Sequence, residues 1–183
     1  MKLSTSLIST AARSAAVASL LAVGALGAAV AGQDPALALN VGRHDFNRTV
    51  SVDSVEVGAE IRLTNIELAR WSWGTMSPAF GAFVTDDSTH YVYGGFRLHM
   101  PAGPVRVAIH ASGGAYGRGD GLDLGGVVEF RTGIEVAYRV APAIFVGLDF
   151  HHLSNAGIYP LNPGVNSLVA NVSFRPWQAS ARP

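Results

Sequence analysis

The chain has 183 residues, 49% of them hydrophobic and only 14% charged, with 21 glycines and no cysteine. The lack of cysteine excludes disulfides, a thiol nucleophile and Cys-ligated metal sites, and thirteen basic against thirteen acidic side chains leave no net field to attract nucleic acid. A mean hydropathy of +0.27 is high for a water-soluble domain, so the apolar residues either form a membrane helix or are spread over many segments.

The first segment reads as an export signal. Lys2 and Arg13 precede an acid-free run, Ser14 to Ala31, rich in Ala, Leu and Val, which ends in Ala29-Val30-Ala31 before the polar Gly32-Gln33-Asp34. A basic start, an apolar middle and a small-x-small end predict a cleaved signal peptide over 1–31 and a mature domain over 32–183. The run approaches the length of a membrane anchor, but Gly and Ala dilute it, which favours cleavage.

From Gln33 to Trp177 the chain alternates apolar and polar residues. In Val55-Glu56-Val57-Gly58-Ala59-Glu60-Ile61-Arg62-Leu63 every odd position is apolar. In Val128 to Val140 one face carries Val128, Phe130, Thr132, Ile134, Val136, Tyr138 and Val140, and the other carries Glu129, Arg131, Glu135 and Arg139. Period 2 sustained this long is a strand signature. Similar runs at 36–42, 73–84, 91–100, 105–112, 144–154 and 166–175 bring the expected total to eight strands.

Eight such strands fit a closed antiparallel barrel. A lipocalin-like barrel turns its apolar face inward, whereas an outer-membrane barrel turns it to lipid and keeps a polar interior. The charges favour the membrane barrel, with Glu129/Arg131 and Glu135/Arg139 expected to pair inside. Tight connections at Pro101–Pro104 and Ala141-Pro142 alternate with long ones at 43–54, 114–126 and 155–165, as periplasmic turns alternate with external loops. Tyr91, Tyr93, Tyr138, Trp71, Trp73 and Trp177 are candidates for the interfacial girdles. An Arg-Gly-Asp tripeptide in Gly117 to Leu124 reads as part of a flexible external loop. His44, His90, His99 and His110 lack metal-ligand spacing and read as loop or lumen residues. Little room is left for a channel.

One segment carries chemistry. In strand seven the lipid-facing positions Ile144, Val146, Leu148 and Phe150 continue to His152 and Ser154, and Asn166 begins the same face of the last strand. Polar side chains on such a face are costly unless they hydrogen-bond or serve a function. An i, i+2 pair on one strand face brings an imidazole towards a hydroxyl, as a base-activated nucleophile requires. With the amino terminus in the periplasm, strand seven ends at the outer leaflet, where lipopolysaccharide resides.

Phe150-x-His152-x-Ser154-Asn155-Ala156-Gly157-Ile158, followed by Asn162-x-Gly164, resembles the signature of the PagL family of lipid A 3-O-deacylases. The resemblance implies an eight-stranded outer-membrane barrel that removes the 3-O-linked hydroxyacyl chain of lipid A through a Ser-His-Glu triad. Carried over by position, it makes Ser154 the nucleophile and His152 the general base, with Asn155, Asn162 and Gly164 around the oxyanion or substrate. The triad acid falls on Asn166, which can orient an imidazole but cannot neutralise an imidazolium. The expectation is a serine esterase with lipid A as substrate, outer-membrane lipid as its surroundings, and no metal or organic cofactor. The alternative is a barrel of the same family, catalytically weak or inactive, that binds lipopolysaccharide or supports the envelope. Pairing of two barrels as a homodimer is left open.

Overall fold

A computed structural model describes residues 36–46 and 54–175. The expected signal peptide and Trp177 lie outside the described residues. The chain forms β1 (Ala36–His44), β2 (Ser54–Arg62), β3 (Ala69–Trp71), β4 (Gly74–Thr85), β5 (His90–Ala102), β6 (Val105–Gly117), β7 (Val128–Ala141), β8 (Ile144–Ser154) and β9 (Val165–Phe174). All pairings are antiparallel; β9 returns to β1, and β2 pairs with β4. Eight long strands therefore close into a barrel without a free edge, the condition for strands to lie in hydrocarbon.

The ninth strand is new relative to the sequence. β3 has three residues and pairs only with the start of β4, through Ala69↔Met76 and Trp71↔Gly74. It prolongs the hairpin beyond the barrel wall at the amino-terminal end of β4, where Trp71 and Trp73 stack with their ring centroids 5.4 Å apart. β6 is also longer than the expected 105–112, because its glycines allow pairing rather than turning. Gly114 faces inward opposite Tyr93, and a Cβ there would meet Val92 O at 2.1 Å and the Tyr91 ring at 2.9 Å. The missing side chain makes room for that ring.

The two faces of the wall are inverted relative to a soluble protein. Leu39, Val41, Val136 and Leu148 are half exposed, while Glu60, Arg62, Arg97 and Glu135 are buried within the lumen. Glu135 accepts hydrogen bonds from Arg62 at 2.6 Å, Arg97 at 2.8 Å and Arg106 at 2.9 Å. Glu60 takes Arg62 at 2.7 Å, Arg97 at 2.9 Å and the Tyr93 hydroxyl at 3.1 Å. Asp149 lies 3.1 Å from Arg131, 2.9 Å from His110 and 3.0 Å from His151. Desolvated ions persist only when each has such partners.

The expected pairs within β7 do not form. Pairing two apart on a strand does occur in this lumen, between Glu60 and Arg62 and between Asp149 and His151, but Arg131, Glu135 and Arg139 of β7 are taken by groups from other elements. Arg131 reaches Asp149, and Arg139, at the strand end, donates to Gly103 O at 3.3 Å. The Glu129 carboxyl group is buried and has no hydrogen-bond partner among the described residues.

Tyr91 and Tyr93 are not girdle residues: both point into the lumen, where they join Phe83, Tyr116, Leu124, Leu153 and Val165 in an apolar plug at the outer mouth. Tyr138, Trp71 and Trp73 do lie on the exposed side. Between Glu60, Tyr93, Arg97, His110 and Arg131 a cavity of about 10 Å³ has room for no more than about one water. Around these residues the lumen is closely packed.

The connections alternate less regularly than expected. The β4–β5 turn at the outer mouth spans only residues 86–89. The loop holding the Arg-Gly-Asp tripeptide is bound to that turn, with Asp120 N donating to Asp87 O at 2.9 Å and Thr89 Oγ1 to Arg118 O at 2.8 Å. Burial of Leu124 in the plug anchors its far end.

Candidate active site

Along β8, the exposed positions Ile144, Val146, Leu148 and Phe150 lead to half-buried His152 and Ser154. The register sets His152 opposite Asn166 on β9 and Thr132 on β7, and Ser154 opposite Phe130. All of these are outward positions, so the cluster sits on the lipid-facing wall near the outer mouth. Asp149 and His151 face the lumen and are buried in the ion network.

His152 Nδ1 lies 2.8 Å from Asn166 Oδ1. The carboxamide oxygen accepts, so Nδ1 carries the proton and Nε2 keeps its lone pair for a base. Among the described residues no hydrogen bond holds the Ser154 hydroxyl, which leaves it able to turn towards that lone pair. Asn166 is itself fixed by its main chain: Phe46 N donates to Asn166 O at 3.3 Å, and the Phe46 ring packs edge-on against Phe150, centroids 6.2 Å apart.

Gly164 forms the floor under the imidazole. Its φ is +61°, and a Cβ there would lie 2.7 Å from His152 Cε1 and 3.1 Å from Nε2. Only glycine satisfies both the left-handed backbone and the close approach of the ring.

Asn155 organises the loop that follows the serine. Its buried side chain donates through Nδ2 to Leu124 O and Leu161 O, both at 2.7 Å, and accepts from Gly157 N at 2.9 Å. Ala156 (φ 54°) and Gly157 (φ 80°) are both left-handed, which folds the loop back over the strand end. The Asn155 amide hydrogens are therefore already committed, and its side chain has no donor left for an oxyanion. Asn162 is exposed and its Oδ1 accepts from Asn155 N at 3.1 Å. Its carboxamide thus rests against the peptide immediately after Ser154, with Nδ2 donating to nothing among the described residues.

Sequence reasoning missed the surroundings on β7, β6 and β5. A groove of about 320 Å³ runs over the outside of the barrel beside Ser154, lined by Gly94, Phe96, Ala111, Gly113, Phe130 and Thr132. Gly94 pairs with Gly113, and Gly113 with Phe130. A Cβ on Gly94 would meet the Phe80 ring at 2.9 Å. The outward parity of Phe130 and Thr132 is readable in the sequence. Their position next to Ser154 and His152 depends on the β7–β8 register, which parity leaves undetermined.

Known proteins agree with this architecture. The crystal structure of the outer membrane enzyme PagL superposes with a TM-score of 0.55 at 21% identity, covering 76% of this chain and 98% of that one. Neisserial surface protein A superposes with a TM-score of 0.51 at 11% identity, covering 78% and 97%. At these identities the likeness is one of fold, the outer-membrane β-barrel. No curated protein sequence matches the chain. The family model for lipid A 3-O-deacylase (PagL) matches residues 53–175, a span that contains the groove and every candidate site residue. The chain belongs to the PagL family of lipid A 3-O-deacylases, ester hydrolases of the bacterial outer membrane.

Proposed function

We propose that Ser154, His152 and Asn166 carry the 3-O-deacylation of lipid A, from the outer leaflet, on the outside of the barrel. Ser154 Oγ attacks the ester carbonyl as His152 Nε2 takes its proton. The oxyanion is met by Asn162 Nδ2 and by loop N–H groups. The C–O bond to the sugar then breaks, His152 returns the proton to the leaving sugar hydroxyl, and water hydrolyses the acyl-serine by the same relay. The groove beside Ser154 takes the acyl chain, so the lipid reacts without leaving the bilayer. Asn155 and Gly164 act as positioning residues, one shaping the loop and the other seating the imidazole. The 2.8 Å contact between His152 Nδ1 and Asn166 Oδ1 is the observation that carries this reading, because it orients a base on a wall otherwise built for hydrocarbon.

The test is the mass spectrum of lipid A from a lipopolysaccharide-bearing host expressing the folded barrel. Wild type is expected to remove one hydroxyacyl mass, Ser154→Ala none, and Asn166→Glu more than wild type. Intact lipid A with all three folded proteins would overturn the proposal and favour a barrel that binds lipopolysaccharide without cutting it.

A further inference from the structure

At the end of the barrel remote from Ser154, a cavity of about 200 Å³ opens between the start of β1, the β7–β8 turn and the end of β9. Arg106, Arg139 and Arg175 line it. Arg106 spends Nη2 on Glu135 and on Ser173 Oγ, while its Nε is buried and donates to nothing among the described residues. Arg139 donates to Gly103 O at 3.3 Å and Arg175 to Thr64 Oγ1 at 3.2 Å, and among the described residues neither has a carboxylate partner. Among the described residues, three guanidiniums therefore border one cavity with a single acid, Glu135, already shared with Arg62 and Arg97. Buried donors of this kind ordinarily have a partner, and planar guanidinium forks match phosphate oxygens.

We propose that this cavity binds the phosphate of an anionic phospholipid in the inner leaflet of the outer membrane. Its walls favour a lipid over a free anion. Phe174 on the rim shares the outward parity of Leu168 and Val172, while Phe145, Pro142 and Ala143 supply further apolar lining. A headgroup between the arginines lays its acyl chains along the Phe174 side of the wall, a surface that inorganic phosphate does not use. The volume falls below the range of drug-sized pockets and suits a headgroup.

The test uses the full-length barrel folded in detergent and titrated with dihexanoyl phosphatidylglycerol, with bound lipid counted by native mass spectrometry. One lipid per barrel is expected, held roughly ten-fold less tightly by Arg139→Gln/Arg175→Gln, the scale of one lost charge-assisted hydrogen bond. Heat-modifiable migration on gels checks that the double variant is folded, and Arg175→Gln alone serves if it is not. Equal affinity in wild type and folded variant overturns the site. Displacement of the lipid by equimolar inorganic phosphate overturns the lipid assignment in favour of a free-phosphate site.

Discussion

Asn166 orients His152 through a carboxamide oxygen, so the ring is placed but the imidazolium formed during attack has no counter-charge beside it. In a serine protease the same loss of the acid lowers turnover by roughly 10⁴. That figure bounds the gain expected from Asn166→Glu, to be read as the rate of hydroxyacyl release. Gly164 offers a separate test of ring placement. Gly164→Ala puts a methyl 2.7 Å from Cε1 of the imidazole on a left-handed residue, so the ring must move from its present place. The expected result is a fall in kcat of about 100-fold, in line with a displacement of roughly 1 Å at a catalytic group, in a barrel that still migrates as folded. Full activity in that variant would show that the ring has room the structure does not provide. At this scale the sequence was most informative: parity alone places His152, Ser154 and Asn166 on one face. The contact under the ring was not legible, because it depends on how the β8–β9 loop returns.

Among the described residues, Asn155 makes the most side-chain hydrogen bonds in that loop. Asn155 joins its own loop, through Leu161 O, to the β6–β7 loop, through Leu124 O. Leu124 in turn is anchored in the aromatic plug beneath. Asn155→Ala leaves both carbonyls without their donor, a loss of about 1–3 kcal/mol for groups removed from water. Limited proteolysis should then cut the 155–164 segment faster than in wild type while the strands stay protected, with deacylation falling in parallel. Unchanged protease sensitivity would remove Asn155 from this role. The same pair of loops shows where sequence reading stops. The family resemblance implies a place for Asn155 around the oxyanion or substrate. The structure shows both its amide hydrogens occupied by carbonyls from two different loops, a long-range fact that no local pattern encodes.

The whole barrel depends on charge balance within its lumen. Glu135 bridges Arg62, Arg97 and Arg106 from three other strands. Glu135→Gln leaves three guanidiniums facing a neutral group, and breaking a buried pair from one side is expected to destabilise by about 3–5 kcal/mol. The urea midpoint for unfolding from lipid vesicles measures this, and a shift under 1 kcal/mol would mean that the network contributes little to stability. The direction of the two faces, and hence the membrane, was legible because inward charges and outward aliphatics follow from period 2. The ion partners were not. Some lie on one strand or on neighbouring strands, such as Glu60–Arg62 and Arg131–Asp149, and others join strands that are not neighbours, such as Arg62–Glu135, a choice that alternation within β7 does not encode. Tyr91 and Tyr93 differ from the girdle expectation because strand-end aromatics suit either a girdle or a plug; both share the inward parity of Arg97, and Gly114, opposite Tyr93, leaves room for the Tyr91 ring.

Ser154 and its groove lie on the outer wall of the barrel, and the middle of the lumen behind them is packed with charged side chains. With the proposed chemistry on that wall, an enzyme of this shape meets its substrate by lateral diffusion in two dimensions. The quantity that governs its rate is then the mole fraction of lipid A in the leaflet around it. Adding inert lipid slows such a catalyst even when the total amounts of enzyme and substrate in the flask are unchanged, and the membrane itself becomes part of its kinetic constant.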